Sequence, residues 1–226
     1  MKFNARIGLK RRVVLGLAVT TSALSAMVFL TPRGPSVLAT ARPARESAQD
    51  LHRQPPWVYG RRDARFTISE YSDLTCPYCA EYFPKLRRWI DDHPDANWQW
   101  HHFPLSAHDP EATRSARWVE CVGETQGNAA FWAAVGAIYA LSADAYAKRQ
   151  PPPRSDRTSA LATCLQSARP DSVIREQVAQ AHSHGVTATP TLVVRDQRSG
   201  KSIALRGAAE GDVLLSAIDF LVSSSS

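Results

Sequence analysis

Two periodicities of apolar residues organise most of the chain. Phe66 and Ile68 alternate with polar neighbours, which is the period of a β-strand. From Cys76 to about His93 the large apolar side chains instead recur every three or four residues, as on one face of a helix. Pro77 is favoured in the first turn of a helix because its missing N–H is no loss there. The pattern therefore places Cys76 at a helix N-terminus.

The other periodicities predict an α/β frame interrupted by helices. Strands are predicted at residues 97–105, 191–194 and 202–205, and a closing helix at about 213–221. Between the first two of these strands, helical spacing covers residues 109–139 with a break near Gly127, then 161–165 and 171–184, with a loop at 148–156. The order strand, helix, strand, helical block, strand, strand, helix predicts an α/β domain with an inserted all-helical subdomain at about 109–184.

Two local details of this scheme are open to test. The helical block should begin with Asp109 as N-cap and Pro110 as its first helical residue. Glu70 shares the face of its strand with Phe66 and Ile68, so a core-facing strand would bury its carboxyl group, whereas an edge strand would leave it solvated.

Charge is divided unevenly along the chain, which has 27 Lys and Arg against 21 Asp and Glu. Residues 1–62 hold 11 basic and 2 acidic side chains, and the remaining residues hold 16 and 19. The predicted folded part is thus mildly acidic and has no basic patch interleaved with aromatic residues. This composition excludes nucleic acid as the expected partner.

The N-terminal excess of positive charge belongs to an export segment. Five Lys and Arg residues within residues 1–12 precede 18 uncharged residues, VVLGLAVTTSALSAMVFL. Residues 1–30 are therefore predicted to be a signal peptide, cut near residues 23–25 or 39–41, or an uncleaved anchor in the inner membrane. Residues 31–56, rich in Pro, Arg, Ala and Ser, are predicted to be a flexible linker to a domain at 57–226.

Export makes disulfide chemistry the first expectation for the four cysteines. A zinc site at Cys76 and Cys79 would need two more ligands, but Cys121 and Cys164 are far apart in the helical block. The adjacent His101 and His102 would point to opposite faces of a strand, so that at most one could serve. A purely structural crosslink between Cys76 and Cys79 would close too small a loop to stabilise the fold much.

A redox role fits the predicted placement of the Cys76-Pro77-Tyr78-Cys79 motif. The free N–H groups and the positive dipole end of a helix stabilise a thiolate, which lowers the pKa of a cysteine at this position. Such a thiolate is a good nucleophile and a good leaving group. Cys79, one turn further along, faces inward, where it can resolve a mixed disulfide.

The run YGRRDARFTISEYSDLTCPYC, followed by GVTATPTLVV, resembles the DsbA-like branch of the thiol:disulfide oxidoreductases. The resemblance covers about residues 57–222 and implies a thioredoxin-like fold with a helical insertion. It implies that Cys76 is an exposed nucleophile and Cys79 its buried partner. Glu70 matches the buried acid that relays a proton for the inner cysteine.

The resemblance also indicates how substrate is bound. Thr189 and Pro190 match a threonine and cis-proline loop that lies against the active-site sulfurs and offers backbone groups to a peptide. With Pro77 and Tyr78 between the cysteines, they form the predicted substrate-binding residues. The implied partners are exported proteins with cysteine thiols, and the implied location is the periplasm or another extracytoplasmic compartment. No metal or cofactor is expected beyond the redox-active disulfide, and a monomer is expected.

The direction of electron flow stays open at this level. An oxidase would be reoxidised by a membrane quinone-linked partner, whereas a reductase or isomerase would need a reductant supplied across the membrane. The tether before the fold is too short for the dimerisation domain of the dimeric isomerases, which argues against an isomerase. Tyr78 differs from the His of the strongest oxidase in the family and cannot lend a positive charge to the thiolate, and Thr189 is also found in isomerase and reductase relatives. A third alternative is a non-catalytic module of the same fold that binds copper or a peptide.

The resemblance finally suggests a role for Cys121 and Cys164. Some DsbA-like relatives carry a second disulfide in the helical block, so the two residues are expected to form a structural disulfide. Two buried free thiols, or a second redox pair that exchanges electrons with the first, are the alternatives.

Overall fold

The computed structural model describes residues 54–140 and 159–224, and all of them belong to one unit, Arg45–Ser226. The predicted export segment at residues 1–30 lies outside the described residues, as do most of the predicted linker and the loop predicted at 148–156. Within the described ranges, no helix combines the length and the apolar character needed to cross a membrane.

A five-stranded sheet forms the frame of the fold. Its strands are β1 (Trp57–Gly60), β2 (Phe66–Ser72), β3 (Ala96–His102), β4 (Thr191–Asp196) and β5 (Ser202–Arg206). The spatial order is β1-β3-β2-β4-β5, in which β2 and β3 are parallel and the other neighbours antiparallel. Because β2 is paired on both sides, it is the central strand, and the edge-strand alternative for Glu70 is wrong. The sequence pattern missed β1, whose four residues are too few to show an alternation.

Six α-helices pack on this frame within the described residues: α1 (Pro77–Asp92), α2 (Glu111–Gln126), α3 (Asn128–Tyr139), α4 (Ala160–Gln166), α5 (Arg169–Ser183) and α6 (Gly211–Ser223). Helices α2 to α5 form the predicted insertion between β3 and β4. Gly127, with a φ of +91°, separates α2 from α3, which places the break where the sequence predicted it.

The predicted start of the helical block is displaced by one residue. Helix α2 begins at Glu111, with Pro110 as its N-cap, so Pro110 is not the first helical residue and Asp109 is not the N-cap. The Asp109 side chain still supports the helix, because its Oδ1 accepts hydrogen bonds from the backbone N–H and the hydroxyl of Thr113. Asp109 thus satisfies a first-turn donor from one position further out than predicted.

An aromatic core fixes the insertion against one face of the sheet. Trp98 of β3 lies with its ring centroid 4.4 Å from that of Trp132 of α3, and Trp57 of β1 stacks on Phe131 at 4.9 Å. Phe83 of α1 contacts both Trp98 and Trp132. Large rings buried in this way supply much of the apolar area that a core needs. These contacts hold α3 of the insertion against α1 and the sheet.

A buried carboxylate adds a polar connection to this core. Glu120 is fully buried and accepts a hydrogen bond of 2.6 Å from Trp57 Nε1 and one of 3.2 Å from Arg169. His102 Nε2 lies 3.5 Å from the same carboxylate. Burial alone raises the pKa of Glu120, but the partners outweigh it and the net pKa is lowered. One charged group thus joins β1, β3, α2 and α5.

Cys121 and Cys164 form a disulfide that joins α2 to α4, with their Cα atoms 5.7 Å apart. The alternative that these two cysteines are buried free thiols is therefore wrong. Because the bond spans 43 residues of chain, it stabilises the fold by roughly 3 to 4 kcal/mol in the chain-entropy account.

The close approach of β1 to α2 yields a stability prediction. A Cβ atom at Gly123 would lie 2.5 Å from Trp57 Cζ2, so Gly123→Ala must displace the ring or the helix. We expect Gly123→Ala to lower the free energy of unfolding, measured by urea denaturation, by about 1–3 kcal/mol. Gly136→Ala is the matched control, because its Cβ would lie 3.4 Å from Phe83 Cε1. The control should be neutral or stabilising by up to about 1 kcal/mol, and an equal loss in both variants would contradict this packing.

Candidate active site

Cys76 is the N-cap residue of α1, and Cys79 lies three residues into that helix. The backbone N–H of Cys76 donates to Asp73 O at 3.1 Å, which fixes the turn between β2 and α1. The cysteine side chains are both free, so the structure shows the reduced dithiol. Cys79 is fully buried.

Cys76 is more covered than the resemblance implied. Only 4% of its surface is exposed, so the expectation of an exposed nucleophile is wrong in degree. The cause is the loop at the Thr189–Pro190 bond, which is cis and places Thr189 O 3.6 Å from Cys76 Sγ. The two residues between the cysteines, Pro77 and Tyr78, are exposed, Tyr78 by 69%.

The environment of Cys76 favours the thiolate. The pKa of Cys76 is lowered to about 5, chiefly by a hydrogen bond from the Cys79 thiol and against the opposing effect of burial. The Thr189 side chain and the backbone N–H groups of Cys79 and Tyr78 lower it further. These are the free donors that a helix N-terminus supplies.

Thr189 offers the Cys76 sulfur a hydrogen-bond acceptor, its backbone carbonyl, and a hydrogen-bond donor, its hydroxyl. A protonated Cys76 donates to the Thr189 carbonyl, but a thiolate has no proton to donate. The Thr189 hydroxyl has no other hydrogen-bond partner among the described residues, so it is available to donate to the thiolate.

Cys79 has the opposite preference. Burial raises its pKa far above the ordinary value, and the hydrogen bond to Cys76 and the charge of Glu70 raise it further. The pair therefore shares one proton, which stays on Cys79 while Cys76 carries the charge. This asymmetry separates an attacking sulfur from a resolving one.

Glu70 lies in the centre of the sheet, with 1% of its surface exposed. Burial raises its pKa to about 8, against the opposing effect of the Ser72 and Trp98 side chains. Its Oε2 atom has no hydrogen-bond partner within the described part of the chain. A carboxyl group with this pKa is mostly protonated at neutral pH and can both give and take a proton.

Asp73 is a site residue that the sequence reasoning missed. Its buried carboxylate accepts four hydrogen bonds, from the backbone N–H and hydroxyl of Thr75, the backbone N–H of Leu105 and the His108 ring. It thereby ties the turn before Cys76 to the segment after β3. The Asp73-Leu74-Thr75 order before a helix is typical of a side-chain turn, and this was the available signal.

Tyr139 also reaches the site and was missed. Its hydroxyl lies 3.1 Å from Ser72 Oγ and 3.1 Å from Asp73 O, at the end of β2. It comes from the end of α3, more than 60 residues further along the chain, so no local sequence pattern predicts its contact with the site.

The described residues place no third metal ligand beside Cys76 and Cys79. His101 and His102 lie on opposite faces of β3: His102 contacts Glu120, and His101 packs on Tyr71 with ring centroids 5.0 Å apart. In the part of the chain that the structure describes, the one cluster with ligand spacing is Cys121, Glu124 and Cys164, whose sulfurs are already joined to each other.

Comparisons with known proteins agree with this geometry. The family model described as Thioredoxin matches residues 52–209. The crystal structure of Pseudomonas aeruginosa DsbA2 is 44% identical, covers 74% of this chain and 96% of its own, and superposes with a TM-score of 0.67. A thioredoxin-like oxidoreductase from Silicibacter pomeroyi DSS-3 is 20% identical and covers 78% of this chain and 98% of its own, with a TM-score of 0.60. At that identity it is similar in fold alone.

Curated relatives match over a shorter region. The Na(+)/H(+) antiporter NhaA 3 of Salinispora tropica is 34% identical over 128 residues, which are 52% of this chain and 19% of the antiporter. The Na(+)/H(+) antiporter NhaA 1 of Salinispora arenicola is 39% identical over 75 residues, 33% of this chain and 11% of that protein. This chain thus spans a fifth or less of the length of these relatives, and antiporter activity is a property of those proteins.

The proton on Cys79 generates a prediction for the reduced protein. Cys79→Ala removes the hydrogen bond that lowers the pKa of Cys76 most, so we expect this pKa to rise above about 5. Cys79→Ser keeps a donor and should raise it less. The pKa is measured from the thiolate absorbance at 240 nm as a function of pH. Equal values in the two variants would show that the Cys79 proton is not the cause.

The same shift predicts a pH-dependent stability. Between about pH 5 and pH 8.5 the folded Cys76 is ionised while the unfolded residue is still protonated, so the unfolded state binds more protons. The free energy of unfolding of the reduced protein, relative to the oxidised protein, should therefore rise with pH across this window. The oxidised protein is the control because it lacks the thiol and keeps Glu70. A difference that stays constant with pH would contradict the lowered pKa.

Proposed function

Because the chain belongs to the thioredoxin family, and within it to the DsbA-like thiol-disulfide oxidoreductases, we propose that it oxidises thiols of exported proteins to disulfides. The Cys76–Cys79 pair is the redox centre. The observation that carries the proposal is the stabilised thiolate of Cys76. A stabilised thiolate favours the reduced form of the enzyme, which makes its disulfide a strong oxidant.

The oxidation consists of two exchanges. A client thiolate attacks Sγ of Cys76 in the disulfide, an S–S bond to the client forms, and Cys79 leaves and takes the proton from Glu70. A second client thiol then loses its proton and attacks the client sulfur of the mixed disulfide, which releases Cys76 as a thiolate. The client loses two electrons, which reduce the enzyme disulfide, and Glu70 regains its proton from solvent.

Reoxidation reverses the roles of these groups. We propose a membrane quinone-linked partner that presents a disulfide to Cys76. The Cys76 thiolate attacks this disulfide, Glu70 loses its proton to solvent, Cys79 gives its own proton to the resulting Glu70 carboxylate and attacks Cys76, and the partner leaves as a dithiol. Two electrons pass from the partner to the quinone with two protons. The pKa of Glu70, raised to about 8 by burial, suits a group that must work in both directions near neutral pH.

Client binding is assigned to the surface around the covered sulfur. The Thr189–Pro190 loop presents backbone atoms beside Cys76, and a client segment bound against them would lie within reach of the sulfur. Pro77 and Tyr78 form the opposite side of the opening, and the large exposed surface of Tyr78 favours contact with apolar client side chains. A monomer suffices for this arrangement.

An extracytoplasmic location is part of the proposal. The basic and apolar segment at residues 1–30 supports export, as a cleaved signal or as an inner-membrane anchor. The Cys121–Cys164 disulfide supports it independently, because such bonds persist mainly in oxidising compartments. We assign that bond a structural role.

The reduction potential tests the direction of electron flow. We expect equilibration of the Cys76–Cys79 pair with glutathione buffers to give a potential above about −200 mV, and the oxidised protein to form a disulfide in a reduced dithiol peptide. Thr189→Val, which removes the hydroxyl and keeps the shape, should lower the potential because the Cys76 thiolate loses a donor.

The alternatives predict different outcomes of these measurements. A potential near about −270 mV, or faster reshuffling of scrambled disulfides than oxidation of dithiols, would replace the oxidase by a reductase or isomerase. Failure to exchange with any dithiol peptide would favour a non-catalytic module that binds copper or a peptide. A potential unchanged by Thr189→Val would contradict the role of the hydroxyl.

A further inference from the structure

A pair of hydroxyl groups connects the insertion to the buried proton site. Ser72 and Glu70 are two residues apart on β2 and so face the same side of the sheet, and both are 1% exposed. Ser72 Oγ lies 3.1 Å from the Tyr139 hydroxyl, which also donates to Asp73 O at 3.1 Å. The hydroxyl pair therefore lies between a backbone carbonyl on one side and the groups that exchange a proton on the other.

The ring of Tyr139 is held by packing rather than by polar contacts. Its centroid lies 5.4 Å from that of Phe83 of α1 and 6.2 Å from that of Trp100 of β3. Because these rings belong to the aromatic core, the position of the Tyr139 hydroxyl is fixed by the docking of α3. Few positions remain for the hydroxyl proton, which can point to Asp73 O or to Ser72 Oγ.

With one exception at its rim, the titratable groups around this site are acids, so each of them is either neutral or negatively charged. From α1 they are Cys76, Cys79 and Tyr82, from the end of β2 Asp73, from α3 Tyr139, and before α6 Glu210, which acts on Tyr82. The exception is His108, on the outer side of Asp73. Among the described residues, no cation is a main cause of the pKa shift of Glu70 or of Cys79. A buried anion without a cation must be stabilised by hydrogen-bond donors.

The hydrogen bonds of the Ser72 and Tyr139 hydroxyls can change with the protonation state of Glu70 and Cys79. While Glu70 and Cys79 are both protonated, Tyr139 donates to Asp73 O. When one of them becomes an anion, Ser72 can turn its proton towards it, and Tyr139 can turn its own proton from Asp73 O to Ser72 Oγ. Two hydrogen bonds then point in the same direction and strengthen each other. The Ser72 side chain indeed favours the ionised form of both Glu70 and Cys79.

We propose that Tyr139 of the insertion is a positioning residue that acts through Ser72 to stabilise the buried negative charge while Cys79 resolves a mixed disulfide. The proposal rests on the proposed function, since it concerns the same dithiol. It also gives the inserted subdomain a part in the chemistry that is separate from its packing.

The step is accessible with a small probe and needs no client protein. The Cys76 thiolate of the reduced protein attacks glutathione disulfide and releases one glutathione thiolate, which leaves Cys76 joined to the other glutathione. Glu70 first loses its proton to solvent, Cys79 then gives its own proton to the Glu70 carboxylate and attacks Cys76 Sγ, and the second glutathione leaves as a thiolate. The protein loses two electrons and glutathione disulfide gains them. The release of the second glutathione is the step that Tyr139 should affect.

The test is the pH dependence of this second release in Tyr139→Phe, Ser72→Ala and the double variant, followed by stopped-flow mixing and acid quench between pH 6 and pH 9. At pH 7 we expect the release to be about threefold slower in Tyr139→Phe and about tenfold slower in Ser72→Ala. In both variants the inflection of the rate should move to higher pH. The double variant should be no slower than Ser72→Ala, because Tyr139 acts through Ser72.

Tyr71→Phe is the matched control, since it also removes a largely buried hydroxyl, bonded to His184 on the other face of the sheet. It should leave the inflection of the rate unchanged. A Tyr139→Phe protein that loses stability like the control but keeps the wild-type inflection would overturn the proposal, as would independent effects in the double variant. If the wild-type protein forms no mixed disulfide with glutathione at all, the proposed function itself fails, which is a different result.

Discussion

The structure depends on stabilising negative charge in a part of the core that is almost inaccessible to water. The thiolate of Cys76 and the carboxylate of Glu70 lie within one region of the core, and among the described residues no cation is a main cause of their pKa shifts. The fold meets this constraint with donors: the N-terminus of α1, the thiol of Cys79 and the hydroxyls of Thr189 and Ser72. These donors come from three segments, so the site exists only when β2, α1 and the loop before β4 are assembled together.

The insertion is attached to this assembly by two kinds of contact. Aromatic rings from β1, β3, α1 and α3 fix it by their shape. The buried carboxylate of Glu120 fixes it by charge, and such a group tolerates little displacement because each partner it loses would leave it unpaired. The Cys121–Cys164 bond then holds α2 to α4. The result is a rigid support that ends, at Tyr139, beside the redox pair.

Much of the fold and half of the site could be predicted because their causes are local. Alternation placed Glu70 on the same strand face as Phe66 and Ile68, and Pro77 set Cys76 at the start of a helix. The failures arise where the cause is distant in sequence. Strand β1 exists because β3 pairs with it, the cover over Cys76 comes from a loop 113 residues away, and Asp73 and Tyr139 matter only through partners that the fold supplies. The helix start at Glu111 differs by one residue because the Asp109 side chain supports the first turn from outside the helix.

The small exposed fraction of Cys76 has a consequence for the timing of the proposed reaction. Cys76, with 4% of its surface exposed beside the Thr189–Pro190 loop, favours reaction with a cysteine on an extended segment over reaction with one set into a folded surface. The window for reaction with each client is therefore set by how long its cysteines remain on unfolded chain. A protein that folds slowly after export would have more of its thiols oxidised than one that folds at once, even if their thiols were equally reactive.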